Sequence, residues 1–174
     1  IRIGVLAPIT GPLATPGQEM LDGLKMYWEQ NKYTAGGRKI ELVIADTTCN
    51  PDQALTQARR LALQEKVSFL LGPLCGHEGP AVAQVSKETG IPLILDPAGA
   101  DTNTKWDRTP TVVRTAVSAS QIGHPFGDYL YKDLGGRNVT FIASDYTWGH
   151  EVAGGMMRTY TEAGGKINKV IWAP

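Results

Sequence analysis

The 174-residue sequence predicts an α/β fold built on a doubly wound parallel sheet. Two observations carry the architecture: the strand-like runs are continuously apolar, and they alternate with segments of helical period. Continuous apolar runs suit strands covered on both faces, and a recurring strand, helix, strand order implies parallel units with right-handed crossovers.

The first strand is expected over residues 1–7, which are rich in strand formers and end at Pro8; Thr10-Gly11-Pro12 and Pro16-Gly17 then mark a loop. Leu21, Leu24 and Trp28 fall at i, i+3 and i+7, with Met20 and Tyr27 widening the stripe, so a helix comes next and stops at Gly36-Gly37. Residues 40–45 form the next strand. Asn50 is a good N-cap, Pro51 suits the first helical position and Gln53 is placed for a capping box, so a helix runs from 51 to about 64. Its inward stripe is Ala54, Leu55, Ala58, Leu61 and Ala62.

The unit then recurs as strand 67–71, loop 72–79, helix 80–89 and strand 91–95. An irregular stretch over 96–111 leads to a short apolar run at 111–114. A boundary is placed near Ser118, giving a first lobe over 1–118 and a partial second lobe over 119–174. The second is read as helix 120–134, strand 138–144, helix 149–163 stopped by Gly164-Gly165, and strand 166–172. Two strands are a poor sheet for a stable lobe. The chain is therefore expected to be a fragment of a longer one.

Seventeen Lys plus Arg balance seventeen Asp plus Glu, so no net field favours nucleic acid or acidic lipid. No apolar run reaches the roughly 20 residues that span a bilayer, and no leader precedes the first strand. The start on Ile1-Arg2-Ile3-Gly4-Val5 fits an exported protein whose leader has been removed.

The two cysteines stand just beyond two strand-like runs, Cys49 after 40–45 and Cys75 after 67–71. Open α/β sheets bind ligands outside the carboxyl ends of their strands, so a Cys49 to Cys75 disulfide would brace the binding edge and point to an oxidising compartment. One geometric obstacle exists. If the first strand lies between the two, their axes are about 10 Å apart, and the loops must converge to bring the Cα atoms within about 7 Å.

Taken in order, Ile3-Gly4 through Pro8-Ile9-Thr10-Gly11-Pro12, Asp46 through Cys49-Asn50-Pro51 with Ala54, Leu71-Gly72-Pro73-Leu74-Cys75, Gly90-Ile91-Pro92, Pro97-Ala98 and Asp145 through Trp148-Gly149 make a series. That series resembles the solute-binding proteins of ABC transporters, of the leucine/isoleucine/valine-binding type. The resemblance implies a type I periplasmic-binding-protein-like fold, two α/β lobes that enclose a small solute and hand it to an inner-membrane permease, in the periplasm, with no bond made or broken and no cofactor. It also implies the pairing of Cys49 with Cys75, and a second lobe that continues past the equivalent of Trp172.

Carried over residue by residue, the resemblance gives Gly76 and His77 after the third strand, Ala98, Gly99 and Ala100 after the fourth, Pro16 in the first loop, and Trp148, with Tyr146 beside it, from the second lobe. Amino acid binders of this type present hydroxyl side chains where this chain has Gly76 and Ala100, and often Tyr in place of Pro16. Without those hydroxyls, backbone N–H groups of Gly76, His77 and Ala100 are left to hold an anion. The expected solute shifts toward an aromatic or other organic acid. Trp148 would supply a flat apolar wall.

Other residues have plainer readings. Trp28 and Trp172 are assigned to the core and Trp106 is undecided. Asp96 and Asp101 suit turns. His124 and His150 lack metal-ligand spacing, and no phosphate-loop motif is present, so no metal or nucleotide is expected. Two rival functions remain. Gly72-Pro73-Leu74-Cys75-Gly76 resembles a nucleophile elbow with His77 nearby, which a hydrolase would use with Cys75 as a free thiolate. A sensory receptor domain on the same fold would differ mainly in the segment joined to its C-terminus.

Overall fold

The computed structural model describes residues 1–173. The chain divides into two compact units. The first comprises Ile1–Ala98 and Thr102–Ala116; the second comprises Gly99–Asp101 and the chain from Val117 onward.

The first unit is a five-stranded parallel sheet. Its strands, in chain order, are β1 (Arg2–Ala7), β4 (Glu41–Asp46), β5 (Phe69–Leu71), β6 (Leu93–Leu95) and β7 (Val112–Arg114), laid side by side as β4-β1-β5-β6-β7. β1 pairs with β4 along its whole length, from Arg2 opposite Glu41 to Ala7 opposite Asp46, and with β5 from Ile3 opposite Phe69. The carboxyl ends of these parallel strands therefore open onto one edge. Between β1 and β4 lie α1 (Ala14–Gln30) and a small antiparallel hairpin, β2 (Thr34–Ala35) with β3 (Arg38–Lys39).

Two apolar layers hold the sheet. On one face Ile3, Val5 and Ala7 pack with Leu21 of α1 and Ile40, joined by the partly buried Leu24 and Trp28. On the other, Leu6, Leu70, Leu93 and Leu95 pack under α2 (Pro51–Arg59), whose last turn widens into a π-turn over Arg60–Gln64, and α3 (Gly79–Thr89). Burying side chains of this size stabilises by roughly 1.5–3 kcal/mol each.

Several local details differ from the sequence expectation. The loop expected through Pro16-Gly17 is already helix, because α1 starts at Ala14. Proline in a first turn gives up an N–H that has no intrahelical acceptor anyway. Gly17 is required by a close approach: a Cβ there would lie 1.8 Å from the Pro8 carbonyl oxygen. Gly36-Gly37 turns the hairpin rather than ending a helix. At α2, the Asn50 side chain accepts from the N–H groups of Asp52 and Gln53, while the Asn50 N–H donates to Thr47 O, so the cap forms without the reciprocal glutamine arm.

In the second unit β8 (Asn138–Ser144) pairs in parallel with β9 (Lys166–Ala173). α4 (Ala119–Lys132) and α5 (Thr147–Glu162) pack on each other. Their contact is backbone on backbone. A Cβ on Gly123 would lie 2.2 Å from Val152 O, one on Gly127 2.1 Å from Met156 O, and one on Gly155 2.2 Å from Ser120 O. The Tyr160 ring, fully buried, meets Phe141 and Tyr131 edge-on at centroid distances of 6.0 and 6.2 Å.

Candidate functional site

The edge formed by the carboxyl ends of β1, β4 and β5 is tied together by one covalent and several polar contacts. Cys49 and Cys75 are bonded, with Cα atoms 5.7 Å apart, although β1 lies between their strands. The loops converge as required. After β4 the chain bends at Thr48 and Cys49, both at positive φ, and so carries Cys49 across the end of β1. Among the described residues no cysteine is free, so the turn at Cys75 offers no thiolate nucleophile.

Asp46, the last residue of β4, ties the loop after β1 to this edge. Its carboxylate accepts from Ile9 N at 2.8 Å, Thr10 Oγ1 at 2.6 Å and Thr48 N at 2.9 Å. Partial burial works to raise its pKa, but the hydrogen bonds from Thr10, Ile9 and Thr48 together hold it below the ordinary carboxylate value.

Glu78 closes the other side of the bridge. It is fully buried in the turn after Cys75, and its Oε2 accepts from Cys75 N at 3.3 Å. Burial pushes its pKa up to about 7, against the opposing pull of Thr47, the Cys75 N–H and the Asn50 N–H, and the charge of Asp46 adds to the rise. The Cys75 contact has hydrogen-bond geometry, whereas the Thr47 hydroxyl near it makes no well-formed bond. A carboxyl without a cationic partner in such a setting is held toward its neutral form.

Of the expected solute contacts in this unit, Gly76 is buried in a single turn of 3-10 helix, Gly76–Glu78, and Ala98 is fully buried. His77 is half-buried, and its Nε2 lies 3.0 Å from Cys49 O, so the imidazole links the two bridged loops in addition to any role toward a ligand. Pro16 lines an open cavity of about 530 Å³ with Met20, Leu24, Leu71, Leu74, Asp96 and Pro97, on the α1 side of the sheet and just beyond the carboxyl ends of β5 and β6.

In the second unit, Gly99, Ala100 and Asp101 meet the starts of α4 and α5. Ala119 N donates to Gly99 O at 2.9 Å, and Asp101 N donates to both carboxylate oxygens of Glu151, at 3.1 and 3.0 Å. Gly99 and Ala100 are buried. Trp148, half-buried, puts its six-membered ring against Gly99. Gly149 allows α5 to begin against the end of β8, since a Cβ there would lie 2.1 Å from Ser144 O. Tyr146, just before the helix, is exposed. Trp172, expected in the core, instead stacks on the ring of His150 at 4.0 Å, and His150 Nε2 lies 2.7 Å from Asp145 Oδ1. Trp106 is exposed on its loop.

Asp46, Glu78 and Glu151 are the residues that sequence reading passed over. Glu78 stands out afterwards as a lone acid among Gly, His and Pro at a strand-to-helix turn, which is a readable signal; Glu151 carries none. No cluster of metal-ligating side chains and no helix long and apolar enough to cross a membrane occurs among the described residues.

The pattern of the family described as periplasmic binding protein matches residues 1–174. The chain is 27% identical over 175 residues to a Leu/Ile/Val-binding protein homolog from Brucella abortus, covering 100% of this chain and 44% of that protein. A solute binding protein of an ABC transporter from Rhodopseudomonas palustris BisB5, solved in complex with 3,4-dihydroxybenzoic acid, superposes with a TM-score of 0.93 at 28% identity, over 100% of this chain and 47% of that one. Another from R. palustris, solved with benzoate, gives a TM-score of 0.92 at 30% identity, over 99% of this chain and 48% of that one. The chain thus spans about half the length of the relatives it matches.

Proposed function

This chain belongs to the periplasmic binding protein family, and on that premise we propose that it is part of the solute-capturing component of an ABC transport system, working in the periplasm and delivering its cargo to an inner-membrane permease. The cargo is a small organic acid with a planar ring. Its proposed contacts are Pro16, Gly76, His77 and Ala98 in the first unit, and Gly99, Ala100, Trp148 and Tyr146 in the second.

One observation carries the ring preference. Trp148 offers an aromatic surface beside a segment, Gly99-Ala100, that has no side-chain hydroxyl, while Gly76 supplies none either. A flat apolar wall with backbone N–H donors suits a carboxylate on a ring better than the paired amine and carboxylate of an amino acid. The benzoates bound to similar proteins agree with this. Capture needs no bond-making: differential affinity for one conformation over another is enough to signal occupancy.

Aliphatic amino acids are the second reading, favoured by the name of the Brucella relative. Calorimetry of the full-length protein with benzoate and with leucine separates the two. Benzoate binding in the micromolar range or tighter supports the proposal; submicromolar binding of leucine, isoleucine or valine with no response to benzoate overturns it.

A further inference from the structure

The tripeptide Gly99–Asp101 is flanked in sequence by the first unit but belongs to the second. Two side chains of α5 reach it from the same helix face, because Trp148 and Glu151 are three residues apart. Trp148 covers Gly99 with its ring, and Glu151 takes the Asp101 N–H on both carboxylate oxygens. The start of α4 contributes two more contacts, Ala119 N to Gly99 O at 2.9 Å and Ser120 N to Asp101 Oδ1 at 3.4 Å.

From this arrangement we infer that Glu151 is a positioning residue for solute recognition: its carboxylate fixes the peptide plane on one side of Ala100 through the Asp101 N–H, while Ala119 N–H fixes the plane on the other side through Gly99 O, so the two together hold residue 100 and the Gly99 surface under Trp148. The inference rests on the proposed role of Gly99 and Ala100 as solute contacts. A charged acceptor makes a stronger bond to a backbone N–H than a neutral one does. It also fixes one peptide plane, and each plane is shared with the preceding residue, so orienting the Asp101 N–H orients the Ala100 carbonyl bonded to it. The negative charge of Glu151 by itself would repel an organic anion. A positioning role and a purely electrostatic role thus predict opposite signs when the charge is removed.

The test uses the full-length protein with Glu151→Gln and Glu151→Ala, benzoate as the probe, and amide hydrogen exchange read by mass spectrometry without solute. In Glu151→Ala, exchange at residues 100–101 is expected to accelerate about tenfold or more, with the second half of α5 unchanged, and benzoate affinity to fall about tenfold. Glu151→Gln keeps one acceptor and is expected to fall between wild type and alanine. Unchanged exchange at 100–101, acceleration of equal size throughout α5, or benzoate affinity that stays within about twofold or tightens would each overturn the inference. A wild-type protein that binds no benzoate sinks the solute reading and this inference with it, whereas a failure in the exchange arm sinks this inference alone.

Discussion

The ring of Trp148 occupies the volume that a side chain at position 99 would need: a Cβ on Gly99 would lie 2.3 Å from Cζ3 and 3.0 Å from Cε3 of the indole. No real carbon sits that close, so residue 99 and the ring define each other's position. Gly99→Ala is expected to displace the indole and to destabilise by about 1–3 kcal/mol, the usual range for overpacking. Urea unfolding followed by tryptophan emission measures both effects. An unshifted midpoint with unchanged emission would refute the fit.

Trp148→Ala removes the proposed wall. Affinity for benzoate is expected to fall by about 1.5–3 kcal/mol, tenfold or more, the worth of a buried aromatic face. Calorimetry on the full-length protein reads it, and equal affinity in the variant would remove Trp148 from the site.

Opening the bridge between Cys49 and Cys75, which are 26 residues apart, is expected to cost about 3–4 kcal/mol of stability through the freed unfolded chain. Unfolding with and without reductant measures the loss. Thiol titration of the denatured, unreduced protein is expected to find none; two reactive thiols would return Cys75 to the hydrolase reading.

Glu78 makes stability depend on pH in an unusual direction for an acid. Its folded-state pKa, about 7, lies above the ordinary 4.5, so the folded protein holds this proton more tightly than the unfolded chain does. The stabilisation is full below about pH 4.5 and is lost as pH rises through 7, by an amount on the order of 3 kcal/mol. Asp46 acts oppositely, its contribution present above the ordinary carboxylate value and lost in acid. Urea midpoints at pH 5.5 and 8 for wild type and Glu78→Gln give the comparison. The variant is expected to lose the fall between them, and an identical pH profile would assign it elsewhere.

The fold was legible in the sequence wherever a strand or helix was long enough to display its period. β8 was expected at its observed bounds, and the Asn50-Pro51 start of α2 could be read from cap chemistry alone. The two-residue strands of the hairpin are too short to show alternation, and they went unseen. Pro16-Gly17 reads locally as a break, yet the close approach of Pro8 O requires Gly17 within a helix, so a contact outside the local window decided the matter. The cysteine pair was legible because strand ends in a parallel sheet face one way. The hold of Glu151 on Asp101 was not, since it joins residues 50 apart through a backbone amide that any sequence possesses.

The bare meeting of Gly123, Gly127 and Gly155 gives the second unit a mechanical property that side-chain packing would not. Where main chain rests directly on main chain, few rotamers lie between α4 and α5 to absorb a small displacement, and the Thr159 hydroxyl, donating to His124 O at 2.6 Å, adds a bond across the contact. The two helices therefore act as a single stiff lever, and α5, at 16 residues, extends about 24 Å from its start beside Trp148.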